Sequence, residues 1–100
     1  MSRVVYLLHF DPPFKHARHY IGVARNGLVR RMQDHLSGQG ANLTRHARRA
    51  GCLLILARIW PAADFGLELR LKNRGGASRI CPVCRRRQRQ AAARPASSPD

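Results

Sequence analysis

Apolar residues alternate from Arg3 to Phe10, with Val4, Tyr6, Leu8 and Phe10 on one side and Val5, Leu7 and His9 on the other. A period of two with large side chains on both faces predicts a strand covered on both sides by helices. Asp11-Pro12-Pro13 is expected to stop it, because proline has no N–H to give to a ladder. A loop over Asp11 to Ala17 carries Lys15 and His16, and a second strand is expected over His19 to Ala24. The short separation favours an antiparallel hairpin. In the second strand Tyr20 and Gly22 share one face and Ile21 and Val23 the other, so the bare Gly22 would let a backbone or ligand approach beside Tyr20.

The period then changes. Asn26-Gly27 signals a turn, and Asn26 is the expected N-cap of a helix over Leu28 to Leu36. Its apolar stripe is Leu28, Val29, Met32 and Leu36; at about 100° per residue Arg31 and His35, an i,i+4 pair, fall on the flank of that stripe. A side chain there can be held by the core and still reach a ligand. Ser37-Gly38 should end the helix, and Asn42 is the expected cap of a second one, Leu43 to Ala50, stopped by Gly51. Cys52 to Trp60 (CLLILARIW) reads as a third strand, apolar on both faces at its start. A third helix from about Ala63 to Asn73 sets Glu68 among Phe65, Leu67, Leu69 and Leu71, with Asp64 as its cap and Gly75-Gly76 as its break. The order β-β-α-α-β-α suits an α+β fold, a small three-stranded antiparallel or mixed sheet flanked by helices.

One domain over residues 1–80 is expected, followed by Cys81-Pro82-Val83-Cys84 and a basic tail over 85–100. The tail, RRRQRQAAARPASSPD, has no large apolar residue with which to bury surface and is expected to be disordered. Lysine and arginine number 19 against five acids, a formal net charge of +14. The tail holds only five of those arginines, so the folded part is basic in its own right and calls for a polyanionic partner such as nucleic acid. A membrane surface suits it less, since no basic amphipathic helix has a large apolar face. No apolar run is long enough to span a bilayer, and Met1 to Phe10 lacks a secretory apolar region, so a cytoplasmic location is expected.

Val4-Val5-Tyr6, Tyr20-Ile21-Gly22, the helix with Arg31 and His35, the loop with Gly38, Gly40, Ala41 and Thr44-Arg45, and the later Glu68 follow one another in an order that resembles the GIY-YIG nuclease family. The second half-motif matches letter for letter; the first carries Val4 where glycine is usual. The resemblance covers roughly residues 3 to 75 and is closest to the small stand-alone members. It implies a metal-dependent endonuclease, structure-directed or non-specific, of the kind used in DNA repair or recombination. Arg31 would clamp the scissile phosphate, Tyr6 and Tyr20 would position or activate the water, and His35 would move a proton or contact phosphate. Glu68 would hold a single Mg²⁺ or Mn²⁺ through hard carboxylate oxygen. Gly22, Lys15, Arg45, Arg48, Arg49, Lys72 and Asn73 would meet the substrate, DNA before RNA. The little chain that follows Glu68 leaves no room for a targeting domain, so a monomer or weak dimer guided by its tail or a protein partner is expected. The alternative is a non-catalytic nucleic-acid-binding module on the same fold.

The three cysteines, Cys52, Cys81 and Cys84, do not suggest a disulfide framework. Cys81-Pro82-Val83-Cys84 looks like one knuckle of a zinc ribbon, but a structural site needs four ligands and no second CxxC follows. Cys52 with a histidine, or a second subunit, would have to complete it. The expectation is therefore two reduced thiols at the end of the fold, without zinc.

Overall fold

The computed structural model describes residues 3–93. Three strands, β1 (Val4–Phe14), β2 (Ala17–Ala24) and β3 (Leu53–Trp60), form one antiparallel sheet in the order β2-β1-β3. Helices α1 (Leu28–Leu36) and α2 (Asn42–Arg49) lie between β2 and β3 in the chain, and α3 (Leu67–Arg74), α4 (Ala77–Ile80) and α5 (Pro82–Ala93) follow β3. The fold is the expected α+β arrangement, with two added helices at its end.

β1 is the central strand, and every residue from Val5 to Phe10 is buried, as alternation on both faces predicts. Its even residues Tyr6, Leu8 and Phe10 pack with Ala24, Ala47, Cys52, Leu28 and Met32 on the side of α1 and α2. Its odd residues Val5 and Leu7 pack with Ile21, Leu71, Cys81 and Cys84 on the side of α3 to α5. Each fully buried aliphatic side chain is worth about 2 kcal/mol, and β1 supplies Val5, Leu7 and Leu8 to these two clusters.

Several boundaries differ from the expectation. β1 runs through the prolines to Phe14 because its ladder with β2 is already interrupted after His9 and resumes only at Phe14 and Ala17, while Asp11 pairs with Leu53 of β3. Asn26 does not cap α1; Gly27 stands at the N-cap with φ 105°, a conformation that favours glycine, and no side chain caps the end. α1 also turns a different face inward. Val29 and Leu36 are 73% and 53% exposed, whereas His35 is 1% exposed. The polar pair takes the inner face because Tyr6 offers it a buried partner. Asn42 is the first residue of α2 rather than its cap, and its side chain accepts a hydrogen bond from Arg45. Asp64 lies ahead of α3, where its carboxylate accepts the Gly66 N–H and pairs with Arg70.

The segment expected to lack structure is helical as far as Ala93. Pro82 sits at the first helical position, where its missing N–H costs nothing, and the alanine, glutamine and arginine that follow are strong helix formers. Arg85 to Ala92 are nonetheless all exposed, in line with their lack of apolar side chains; Cys84 and an Arg87–Asp11 ion pair at 3.1 Å tie the helix down. The rest of the expected tail, 94–100, lies outside the described residues. Among the described residues no helix is long and apolar enough to cross a membrane.

Candidate functional site

β2 is an edge strand, so α1 on one face of the sheet and α3 on the other can both reach its open side. They enclose a cleft of about 470 Å³, lined chiefly by Tyr20 and Arg25 at β2, Arg30, Arg31 and Asp34 on α1, and Glu68 on α3. Three arginines and two carboxylates thus face one space. That combination suits an anion bridged to a hard cation.

Behind the cleft runs a directed row of hydrogen bonds. Thr44 Oγ1 donates to the Ala41 carbonyl at 3.0 Å, which leaves it to accept from His35 Nδ1 at 2.8 Å. His35 is then the Nδ1–H tautomer, and its bare Nε2 accepts the Tyr6 hydroxyl hydrogen at 2.6 Å. The Tyr6 oxygen in turn accepts from Arg31 Nε at 3.2 Å. Arg31 is thereby held by a wholly buried tyrosine, and it lines the cleft with Nη1 4.0 Å from Asp34 Oδ2. Tyr20 packs edge-on against His35, ring centroids 5.5 Å apart.

Two glycines make room for this row. A Cβ on Gly22, which pairs with Tyr6 across the ladder, would lie 2.5 Å from Tyr6 Cζ and 2.7 Å from Tyr20 Cε2. The bare face expected beside Tyr20 is therefore taken by the Tyr6 side chain. A Cβ on Gly40 would collide with His35 Nδ1 and stand 3.0 Å from Thr44 Oγ1.

Burial pushes the Tyr6 hydroxyl up to about 12, against the opposing pull of its Arg31 hydrogen bond. Burial, then the Arg31 charge, brings His35 down to about 4. At neutral pH the tyrosine keeps its proton and the histidine is neutral, as the row of hydrogen bonds requires.

The structure brings Tyr20, Arg31 and Glu68 to one cleft and stacks Tyr6, Gly22 and His35 directly behind it. Glu68 pairs with Lys72 at 2.9 Å, so Lys72 reaches the cleft only through that carboxylate. Asn73 is exposed and does not line the cleft. Nor do the arginines of α2: Arg45 binds Asn42, Arg48 donates to the Leu36 carbonyl at 3.2 Å, and Arg49 is exposed. Lys15 stands at the far tip of the hairpin, over the Phe14 ring, and does not belong to the site. Sequence reasoning missed Arg25, Arg30 and Asp34 in the cleft, and it named Thr44 in the loop resemblance without giving it a role. The loop glycines around Thr44 were a signal, since two small residues mark where a side chain passes close.

A second cluster lies on the opposite face of β1. His9 Nδ1 is 3.3 Å from His19 Nε2, 3.5 Å from Cys81 Sγ and 3.5 Å from Cys84 Sγ; Cys84 Sγ is 3.3 Å from His19 Nε2. All four donor atoms lie within 4.8 Å of one another, a His₂Cys₂ set able to hold a metal ion. Burial, then the Arg87 charge, lowers His9; burial, then His9, lowers His19; burial, then Cys81, raises Cys84. The half-motif at Cys81 is completed within the chain by the paired strand residues His9 and His19. Cys52 plays no part, being buried in the core on the other side of the sheet.

Comparison of the chain with protein-family models, curated proteins and solved structures finds no match.

Proposed function

We propose that the protein is a metal-dependent endonuclease of the GIY-YIG type that hydrolyses phosphodiester bonds in nucleic acid, with DNA as its substrate. The observation that carries this reading is the meeting of Tyr20, Arg31 and Glu68, from three separate elements, in one cationic cleft.

A phosphodiester entering the cleft would meet the Arg31 guanidinium, pre-aimed by Tyr6, with Arg25 and Arg30 adding charge along the backbone. Stabilisation of this kind acts on the charge that grows on the phosphate oxygens in the transition state. Tyr20 lines the cleft and is the hydroxyl in reach of an attacking water. Tyr6 is 0% exposed and serves as a positioning residue for Arg31. Glu68, with Asp34 nearby, offers the hard oxygens that Mg²⁺ or Mn²⁺ requires; a bound cation would supply Lewis acidity at the phosphate and leaving oxygen. Lys72 must yield Glu68 for that to happen, and is then free to meet phosphate.

The test is a panel of labelled DNA and RNA, linear, nicked, flapped and branched, incubated with and without added Mg²⁺ or Mn²⁺. Cleavage should need the cation, vanish in Glu68→Gln and fall at least about 100-fold in Arg31→Ala. Glu68→Gln should bind substrate as tightly as the wild type or more so, since it removes a negative charge from the cleft. Binding without cutting on every substrate would refute the nuclease and leave a binding module.

A further inference from the structure

We propose that His9, His19, Cys81 and Cys84 hold one structural Zn²⁺ that fastens the C-terminal helices to the β1–β2 hairpin. A tetrahedral zinc with Zn–N near 2.05 Å and Zn–S near 2.3 Å sets its ligands on a tetrahedron with N–N edges of about 3.3 Å and N–S edges of about 3.5 Å. The N–N separation here is 3.3 Å, and three N–S separations are 3.5, 3.5 and 3.3 Å. The side chains already form the outline of the coordination polyhedron.

Hydrogen bonding alone does not account for this packing. His9 Nδ1 has either one hydrogen or one lone pair, yet three partners crowd it within 3.5 Å. A cation at the centre satisfies all four donors at once. Two thiolates and two imidazoles are the borderline-soft set that selects zinc, and four protein ligands leave no open position for a reacting water. His9, Cys81 and Cys84 are buried, which closes the site further. The role that fits is structural.

The fold needs such a fastening. α3 buries only Leu71, α4 buries no residue, and α5 is exposed from Arg85 to Ala92. The apolar anchorage of α3 to α5 is slight, and a metal linking Cys81 and Cys84 to His9, 72 and 75 positions away in the chain, and to His19, 65 positions from Cys84, would reinforce it. This inference is independent of the nuclease reading, because no ligand of the cluster lines the cleft.

The experiment uses the full chain, expressed with added zinc and purified without chelators. Elemental analysis should find one zinc per chain, absent from Cys81→Ser/Cys84→Ser and retained in Cys52→Ser. Cobalt substitution should give the visible spectrum of a tetrahedral thiolate–imidazole site. Stripping the metal should lower Tm by at least about 10 °C, restored by adding Zn²⁺ back. His19→Ala, which alters a half-buried side chain, should weaken zinc at least about tenfold and keeps the proposal testable if the double variant does not fold. Folded wild type that takes up neither zinc nor cobalt, or that carries a Cys81–Cys84 disulfide instead, would overturn it.

Discussion

Replacing His35 by glutamine gives a sharp reading of the buried hydrogen-bond row. In the folded protein His35 gains a proton only near pH 4, against an ordinary value of 6.5, so between those limits the unfolded chain binds more protons than the folded one. Stability therefore rises with pH through this window and is complete above about pH 6.5. At roughly 1.36 kcal/mol per pH unit, the group withdraws about 2 kcal/mol of stability by pH 5 and about 3 kcal/mol by pH 4. The loss has a mechanical cause. A proton on Nε2 would leave Arg31 and His35 both donating to the Tyr6 oxygen, and the tyrosine hydrogen without its acceptor. Urea unfolding of wild type and His35→Gln at pH 7.5, 5 and 4 separates this effect from any contribution of His9 and His19, which are the same in both proteins. The wild type should lose about 2 kcal/mol more than the variant on going to pH 5. Parallel pH dependences would refute the tautomer assignment and the row built on it.

Gly22→Ala should destabilise the domain by about 1–3 kcal/mol, seen as a lowered urea midpoint, because the new methyl meets a tyrosine that is wholly buried and has nowhere to move. An unchanged midpoint would mean that Tyr6 does not lie over Gly22. Thr44→Val keeps the shape but leaves the His35 Nδ1–H without its acceptor, at a cost of about 1–3 kcal/mol in the same assay. A cost below about 0.5 kcal/mol would show that the hydroxyl is dispensable.

Much of the fold was legible because β1 and α1 announce themselves locally. Alternating bulk from Val4 to Phe10 requires cover on both sides, and the change of period at Leu28 marks a helix whose bounds agree with the structure. The inward face of α1 was legible only in part: Leu28 and Met32 pack on the sheet as expected, while Val29 and Leu36 are exposed. Hydropathy places Val29 and Leu36 inside, but the choice was made by the Tyr6 hydroxyl, which makes the burial of Arg31 and His35 cheaper than local pattern suggests. α5 failed differently: a lack of apolar residues correctly forecasts exposure, not the absence of a helix. Of the candidate site, Tyr6, Tyr20, Arg31, His35 and Glu68 were found from motif order. Asp34, one helical turn beyond Arg31, was passed over, and Arg25 was not found because only the edge position of β2 brings it to the cleft. His9 and His19 escaped for the same reason, because their pairing is a matter of strand register and not of spacing.

β1 is also a partition. Tyr6 and His9 are three positions apart, so they leave the strand in opposite directions, one toward the tyrosine–histidine row and the other toward the thiols. Parity alone keeps the two chemistries on separate sides. One residue gained or lost between them would send both side chains into the same layer and dismantle both clusters together. The Lys15-His16 turn bears on both clusters as well, because it sets the β1–β2 register that pairs His9 with His19 and Tyr6 with Gly22.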